Sequence, residues 1–522
     1  MRAVKTNWQV LKVALMCVLV GMQANGEPGK EGGAESAESA KEVPKKPEGD
    51  RGEEKPKEKA GQVMLSGSTQ PFRYVAQTGT VPILKEDGGK KANIFYVYYA
   101  ATDEDGKRLA AKNINRPIMF CFNGGPGASS VWLHLGGLGP KRVELPPDGL
   151  QPATVSRTVD NPYSALDAAD LVFVDPVNTG LSRVAKGEKA EQFLGVEEDI
   201  RAVGEFVRLF TTREQRWNSP KYLCGESYGV LRVAGLASYM QSQHGWYPEG
   251  LVLVSGLVDY QTIFTGYGND LPYALALPTL TATAHYHKKL DPELQANLEK
   301  AVEASRSFAL GEYTSALMYG NGLPEKQKEK VAAQLARFTG LDEKEIQKLD
   351  LRIDVSYFRK ALLKKEGKVI GRFDSRVTMA DTAPAEIRPG ADPSYGNIAG
   401  AFSSAINGYV RGDLGYESDH PYHILNMELG WSWGNYRNRY VSTADKLASA
   451  IQDNPKMRVL VMCARRDLAV PEDSMRYSLS HIPMAPESRA NVRFSLYESG
   501  HMMYLLREDA EKLRADLKGF IR

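Results

Sequence analysis

At 522 residues, with 42% hydrophobic and 25% charged side chains, the chain has ordinary globular composition and is too long for one small core. Its 66 basic and 64 acidic residues leave a formal charge of only +2, which argues against a polyanion or membrane-surface partner, nucleic acid included. A large domain carrying an insertion, or two to three domains, fits that length.

The N-terminus reads as an export signal. Arg2 and Lys5 give a basic start, Val10 to Val20 an apolar run, and Ala24 and Gly26 small residues for cleavage, so residues 1–26 are expected to be removed. The run is short for a membrane span, and the expected location is periplasmic or secreted, with no stable membrane insertion. Cys17 lies within the run and reads as apolar filler, with lipid anchoring there as the alternative. Residues 27–62 are largely Glu, Lys, Gly, Ala and Pro, a composition that cannot offset its ordering entropy and predicts a flexible tether. Three cysteines remain, Cys121, Cys224 and Cys463, each near the end of an apolar strand-like run; free buried thiols are expected.

From Phe72 to Tyr99 the sequence alternates in strand fashion about a Gly, Asp and Lys turn, predicting an antiparallel hairpin at a sheet edge. Pro117 to Phe122 is a continuous apolar run suited to a strand buried on both faces, and it ends in Asn123, Gly124, Gly125, Pro126 and Gly127. Ala169 to Asp175, Leu251 to Ser255 and Arg458 to Cys463 are further buried-strand candidates, and Asn491 to Tyr497 supplies a last one. Val196 to Phe210 has helical spacing through Ile200, Val203, Phe206, Val207 and Phe210, and Glu508 to Ile521 predicts a closing helix. Strands alternating with helices imply a mostly parallel sheet covered on both faces, an α/β fold. The alternation lapses between Tyr260 and Lys446, where the chain turns helical and charged. The expected layout is a first core part over 63–260, a largely helical cap insertion over 261–446 and a second core part over 447–522.

The chemistry centres on Gly225, Glu226, Ser227, Tyr228 and Gly229. An apolar run, Tyr222 to Cys224, precedes this turn, and Val230, Val233, Ala234, Ala237 and Met240 follow at helical spacing. A strand-turn-helix of this kind lifts a serine hydroxyl clear of a sheet. The serine needs a base, and the base an acid to orient it. Asp467 and His501 each follow a strand candidate, and the order Ser, Asp, His is that of α/β-hydrolases. Asp473 and Glu472 rival Asp467 for the acid role. The glycine-rich loop after Phe122 is placed to supply an oxyanion donor beside the Tyr228 amide. His285 and His287 form an H-x-H without nearby Cys or acidic ligands, so neither metal nor cofactor is expected.

Together, FNGGPGASS at 122–130, VFVDPVNTGLS at 172–182, GESYG at 225–229, RRDLAVP at 465–471 and SGHM at 499–502 resemble the serine carboxypeptidase family, peptidase family S10. FDSR at 373–376 and DPS at 392–394 look closer to its bacterial members. The resemblance implies an α/β-hydrolase fold and a triad of Ser227, Asp467 and His501. It also implies an oxyanion hole from the Gly125 and Tyr228 amides, with Asn123 and Glu226 binding the C-terminal carboxylate of a peptide. A neutral Glu226 sharing its proton with that carboxylate implies activity at acidic pH. The family's second glutamate, fourteen residues after the motif asparagine, is Gly137 here, which leaves Glu226 without its usual partner and Glu144 as a nearby substitute. The family's motif cysteine is Ala128, so its disulfide is absent. An exported carboxypeptidase is the expected function. An esterase or acyltransferase with the same triad is the alternative, and a non-catalytic binding protein on the same fold is a third reading.

Overall fold

The computed structural model describes residues 55–521, apart from 112, 152–154 and 437–438. The export signal, Cys17 and most of the tether lie outside the described residues. The tether's end does not: Lys57–Val63 form strand β1, paired antiparallel with β2 (Phe72–Leu84) from Lys57 opposite Thr78 to Val63 opposite Phe72. Backbone hydrogen bonding to an existing strand orders this stretch despite its exposed, charged side chains. The expected hairpin is β2 with β3 (Lys90–Ala101), but β1 covers its outer side, so the hairpin is not the sheet edge.

The parallel strands are β4 (Ile118–Phe122), β5 (Asp170–Val174), β6 (Lys221–Glu226), β7 (Gly250–Val254), β8 (Arg458–Ala464) and β9 (Val492–Tyr497). Across the sheet the order is β1-β2-β3-β5-β4-β6-β7-β8-β9, parallel from β5 onward, with a short strand at Arg183–Val184 added against β3. Because side chains alternate along a strand, the apolar runs feed two cores at once. Met119, Cys121, Tyr222, Cys224, Val252 and Val254 point to one face, and Ile118, Phe120, Phe122, Leu223, Leu251 and Leu253 to the other.

Helices α1 (Val196–Arg213) and α2 (Tyr228–His244) cover the second face with Val203, Phe206, Phe210, Val233 and Ala237. Three acids, Glu197, Glu198 and Asp199, occupy the first turn of α1, where they complement the helix dipole. The first face is closed by α9, taken in chain order after the inserted helices below, at Arg507–Ile521, through Leu513, Leu517 and Phe520. Cys121, Cys224 and Cys463 are free and buried, as expected.

The inserted stretch packs in three places. α3 (Leu271–Tyr286), α4 (Leu298–Phe308) and α5 (Glu325–Thr339) build a core of their own around Leu277, Leu280, Val331, Leu335 and Phe358, and Leu468 joins it. α6 (Pro393–Gly408) instead buries Ile398, Ala401, Phe402 and Ile406 in the first-face core beside Tyr99 and Trp132. Near 431–441, Tyr436 and Val441 pack against Tyr228 and Val196. After these come α7 (Ala444–Asp453) and α8 (Glu472–His481), which return to the second face through Leu447, Ala450, Met475 and Leu479.

One buried ionic cluster fastens the N-terminal ends of the central strands. Asp170 accepts from Arg116 Nε at 2.6 Å and Arg216 Nη1 at 2.6 Å, and from the Ala101 amide at 3.0 Å. Both arginines are buried, so removing the carboxylate strands two guanidinium groups. Asp170→Ala is expected to cost about 3–5 kcal/mol in urea unfolding. A loss below about 1 kcal/mol would contradict this account.

Candidate active site

β6 runs into Ser227 and straight on into α2, leaving no room for a loop. Ser227 therefore takes φ 62°, ψ −127°, a conformation that costs a non-glycine residue about 1–3 kcal/mol and persists only where surroundings impose it. The surroundings are glycines. A Cβ on Gly225 would stand 2.1 Å from the Gly229 carbonyl oxygen, and one on Gly124 would stand 2.4 Å from the Tyr228 amide nitrogen. The Gly124 approach lays the glycine-rich loop directly on the serine turn. That amide, of Tyr228, is the first that α2 cannot satisfy internally, and Gly125, next in the loop, takes φ 101°. Ser227 is partly exposed between buried neighbours, and its own amide is held by the Val254 carbonyl at 3.0 Å.

Asp467 and His501 come together from the ends of β8 and β9. His501 Nδ1 lies 2.7 Å from Asp467 Oδ2, while Asp467 Oδ1 accepts from the amides of Ala469 and Val470 at 2.8 and 3.0 Å. The carboxylate is thus fixed by its own turn and spends its second oxygen on the imidazole, leaving Nε2 as the nitrogen free to take a proton. Burial of His501 pushes its pKa down. The charge and hydrogen bond of Asp467, with the charge of Glu226, outweigh this and hold it above the usual value. The rivals are engaged elsewhere: Arg306 binds Asp473 through Nε at 2.7 Å and Glu472 through Nη2 at 2.8 Å.

A grip on these two loops comes from the inserted stretch and was not foreseen from sequence, where FDSR served only to mark a resemblance. The His501 amide donates to the Phe373 carbonyl at 2.6 Å, Leu468 to that of Arg372 at 3.0 Å, and Ser375 to that of Arg466 at 3.0 Å. The Phe373 ring stands 5.1 Å from the imidazole. Gly500 is the available signal, since a Cβ there would come within 2.2 Å of the Phe373 oxygen.

Glu226, immediately before the serine, is buried. Its Oε2 accepts from the Tyr504 hydroxyl at 2.8 Å, and the Asn123 side chain is a second hydrogen-bond partner. Burial drives the Glu226 pKa up to about 7, with His501, Tyr504 and Asn123 opposing the rise. Asn123 is oriented by accepting the Leu133 amide on Oδ1 at 2.9 Å. Its carbonyl accepts from Arg232 Nη1 at 2.5 Å, and that buried arginine pairs with Asp199 at 2.6 Å. Arg232 is a further supporting residue that sequence reasoning missed.

Without the glutamate that Gly137 replaces, Glu226 has Tyr504 as its partner. Its ring lies over Gly136 and Gly137, where added Cβ atoms would sit 2.2 and 2.9 Å from ring carbons. Glu144 does not substitute: it pairs with Arg157 at 2.9 Å on the surface. His285 and His287 each meet a backbone carbonyl, of Gln295 at 3.0 Å and Ser375 at 2.7 Å.

A match to the family described as serine carboxypeptidase runs over residues 68–503. The chain belongs to the serine carboxypeptidase family. Among the family's curated members, it is 26% identical over 224 residues to serine carboxypeptidase-like 3 of Arabidopsis thaliana, covering 40% of this chain and 45% of that one. It is 26% identical over 208 residues to the lysosomal protective protein of Mus musculus, covering 39% and 37%. The matched segments thus span less than half of these relatives' lengths. Among solved structures, VinJ aligns at 13% identity and a TM-score of 0.35, over 85% of this chain and 97% of that one. The serine carboxypeptidase family's α/β-hydrolase fold is the one described above: a mostly parallel sheet flanked by helices, with Ser227, Asp467 and His501 all beyond C-terminal strand ends. No helix among the described residues is long and apolar enough to cross a membrane.

Proposed function

We propose that the protein is an exported serine carboxypeptidase that removes C-terminal residues from peptides through an acyl-enzyme on Ser227. The observation that carries this reading is Glu226, a buried carboxyl with its pKa raised to about 7, next to the nucleophile and oriented by Asn123 and Tyr504. A buried acid of this kind is neutral on the acidic side of pH 7 and donates its proton toward a substrate's terminal carboxylate; once ionised it repels that group. The substrate is a peptide with a free C-terminus, and export rests on Arg2, Lys5 and the apolar run from Val10 to Val20.

The steps follow from the residues. Ser227 Oγ attacks the last peptide carbonyl as His501 Nε2 takes its proton, and the imidazolium is steadied by Asp467. The carbonyl oxygen, now negative, receives the Gly125 and Tyr228 amides. Collapse breaks the C–N bond, and His501 returns the proton to the departing amine, releasing the terminal amino acid. Water then adds to the acyl-serine with His501 again as base, freeing the shortened peptide and restoring the hydroxyl.

The test is hydrolysis of a blocked dipeptide as its free acid, its amide and its ester from pH 4 to 8. kcat/KM for the free acid should fall above pH 7, toward roughly tenfold per unit, as Glu226 ionises. The ester has no carboxylate for Glu226 to hold, so its rate should rise to a plateau as His501 loses its proton. Ester and amide cleavage as fast as the acid, with no alkaline loss, would move the protein to the esterase or acyltransferase class. Absence of turnover on all three would leave the binding-protein reading.

A further inference from the structure

We propose that Tyr504 is the positioning residue for terminal-carboxylate recognition: its hydroxyl fixes Glu226, taking the place of a second carboxyl group. The inference rests on the carboxypeptidase reading and deepens it. Three observations carry it. The Tyr504 hydroxyl donates to Glu226 Oε2 at 2.8 Å, and both residues are buried. The ring fills the space above Gly136 and Gly137, so a side chain at 137 and a tyrosine at 504 exclude one another. Tyr504 lies in the short turn Met503–Leu505, three residues beyond His501, so one loop sets both the catalytic base and the carboxylate-binding acid.

The exchange of a carboxyl for a phenol changes the chemistry. Two carboxyl groups side by side share a proton and titrate as a pair. A buried phenol stays protonated throughout the working pH range; here burial, and then the charge of Glu226, hold its pKa well above the ordinary tyrosine value. It therefore donates at every pH. Oε2 is committed as an acceptor of the Tyr504 hydroxyl, so the acid proton of neutral Glu226 belongs on Oε1. Asn123 faces the same carboxyl from the glycine-rich loop, His501 and Asp467 act on it from the β8 and β9 loops, and Cys224 of β6 acts on Tyr504. Arg372, from the inserted stretch, acts on His501. Among these, only Tyr504 and Asn123 hydrogen-bond Glu226, and only Tyr504 replaces a group missing from the family's pattern.

The experiment is Tyr504→Phe in the full chain, which keeps the ring and removes the donor. Removing a donor to the carboxylate disfavours ionised Glu226, so the alkaline limb of kcat/KM for the free-acid dipeptide should move up by about one pH unit. Looser orientation should raise KM at pH 5 about tenfold, a larger change than in kcat and larger than any change on the matching ester. Combined with Glu226→Gln, which removes the titrating group, the substitution should move no limb and add little to the KM. If the phenylalanine protein does not fold, difluorotyrosine at position 504 retains ring and hydroxyl as a stronger donor, and the limb should move to lower pH. A wild type without preference for the free acid overturns the carboxypeptidase reading and this inference with it. A clear preference whose KM and limb ignore the change at 504 overturns this inference alone.

Discussion

Ser227→Ala is expected to lower kcat on peptides by roughly a million-fold, the scale seen when a triad nucleophile is lost, while leaving the fold in place. The fold should hold because the strain at φ 62° belongs to any residue with a Cβ, and alanine has the same Cβ as serine. Ser227 is partly exposed at the turn, so stability should change by less than about 0.5 kcal/mol. Residual binding of a free-acid peptide should persist, since Asn123, Glu226 and Tyr504 are untouched. Steady-state hydrolysis and a thermal melt settle the matter together: turnover retained by a folded alanine protein would remove Ser227 from the mechanism.

The second large effect is expected from Asp467→Asn, a loss of roughly 10⁴-fold in kcat. The geometry explains the size. Oδ1 is held by the Ala469 and Val470 amides, so the new amide group must face His501 Nδ1 and cannot accept its proton. The imidazole turns to the tautomer protonated on Nε2, the nitrogen that has to receive the serine's proton. Loss of the carboxylate also lets burial dominate, so the His501 pKa should fall and the acid limb of the residual activity should move to lower pH. A limb that stays in place, or a loss of less than about tenfold, would assign the acid to another carboxylate. Asp473 and Glu472 are poor replacements because Arg306 holds both.

Much of this was legible in the sequence, for identifiable reasons. Buried parallel strands leave continuous apolar runs, so Ile118–Phe122, Asp170–Val174 and Gly250–Val254 could be placed within a residue or two. Ser227, Asp467 and His501 stood out as site candidates because each follows such a run. Lys57–Val63 was lost to the tether because an edge strand ordered by backbone hydrogen bonds need not bury its side chains. Tyr504 was missed for a different reason: a pairing across 278 positions leaves no local pattern, and the glycines that accommodate its ring read as ordinary punctuation. The Phe373 carbonyl was missed because a backbone acceptor carries no residue signature of its own, and its trace is the glycine opposite, Gly500.

That backbone acceptor limits how the protein can be remodelled. An insertion over an α/β sheet invites treatment as a detachable module, to be trimmed for a smaller enzyme or exchanged for another selectivity. Here residues 372–375 supply the carbonyls of Arg372 and Phe373 and the amide of Ser375 to the loops bearing Asp467 and His501. A chimera that replaces the insertion must carry this tetrapeptide across intact, and the opposing glycine at 500 with it. Without both, a graft meant to alter selectivity would disable the scaffold's own chemistry.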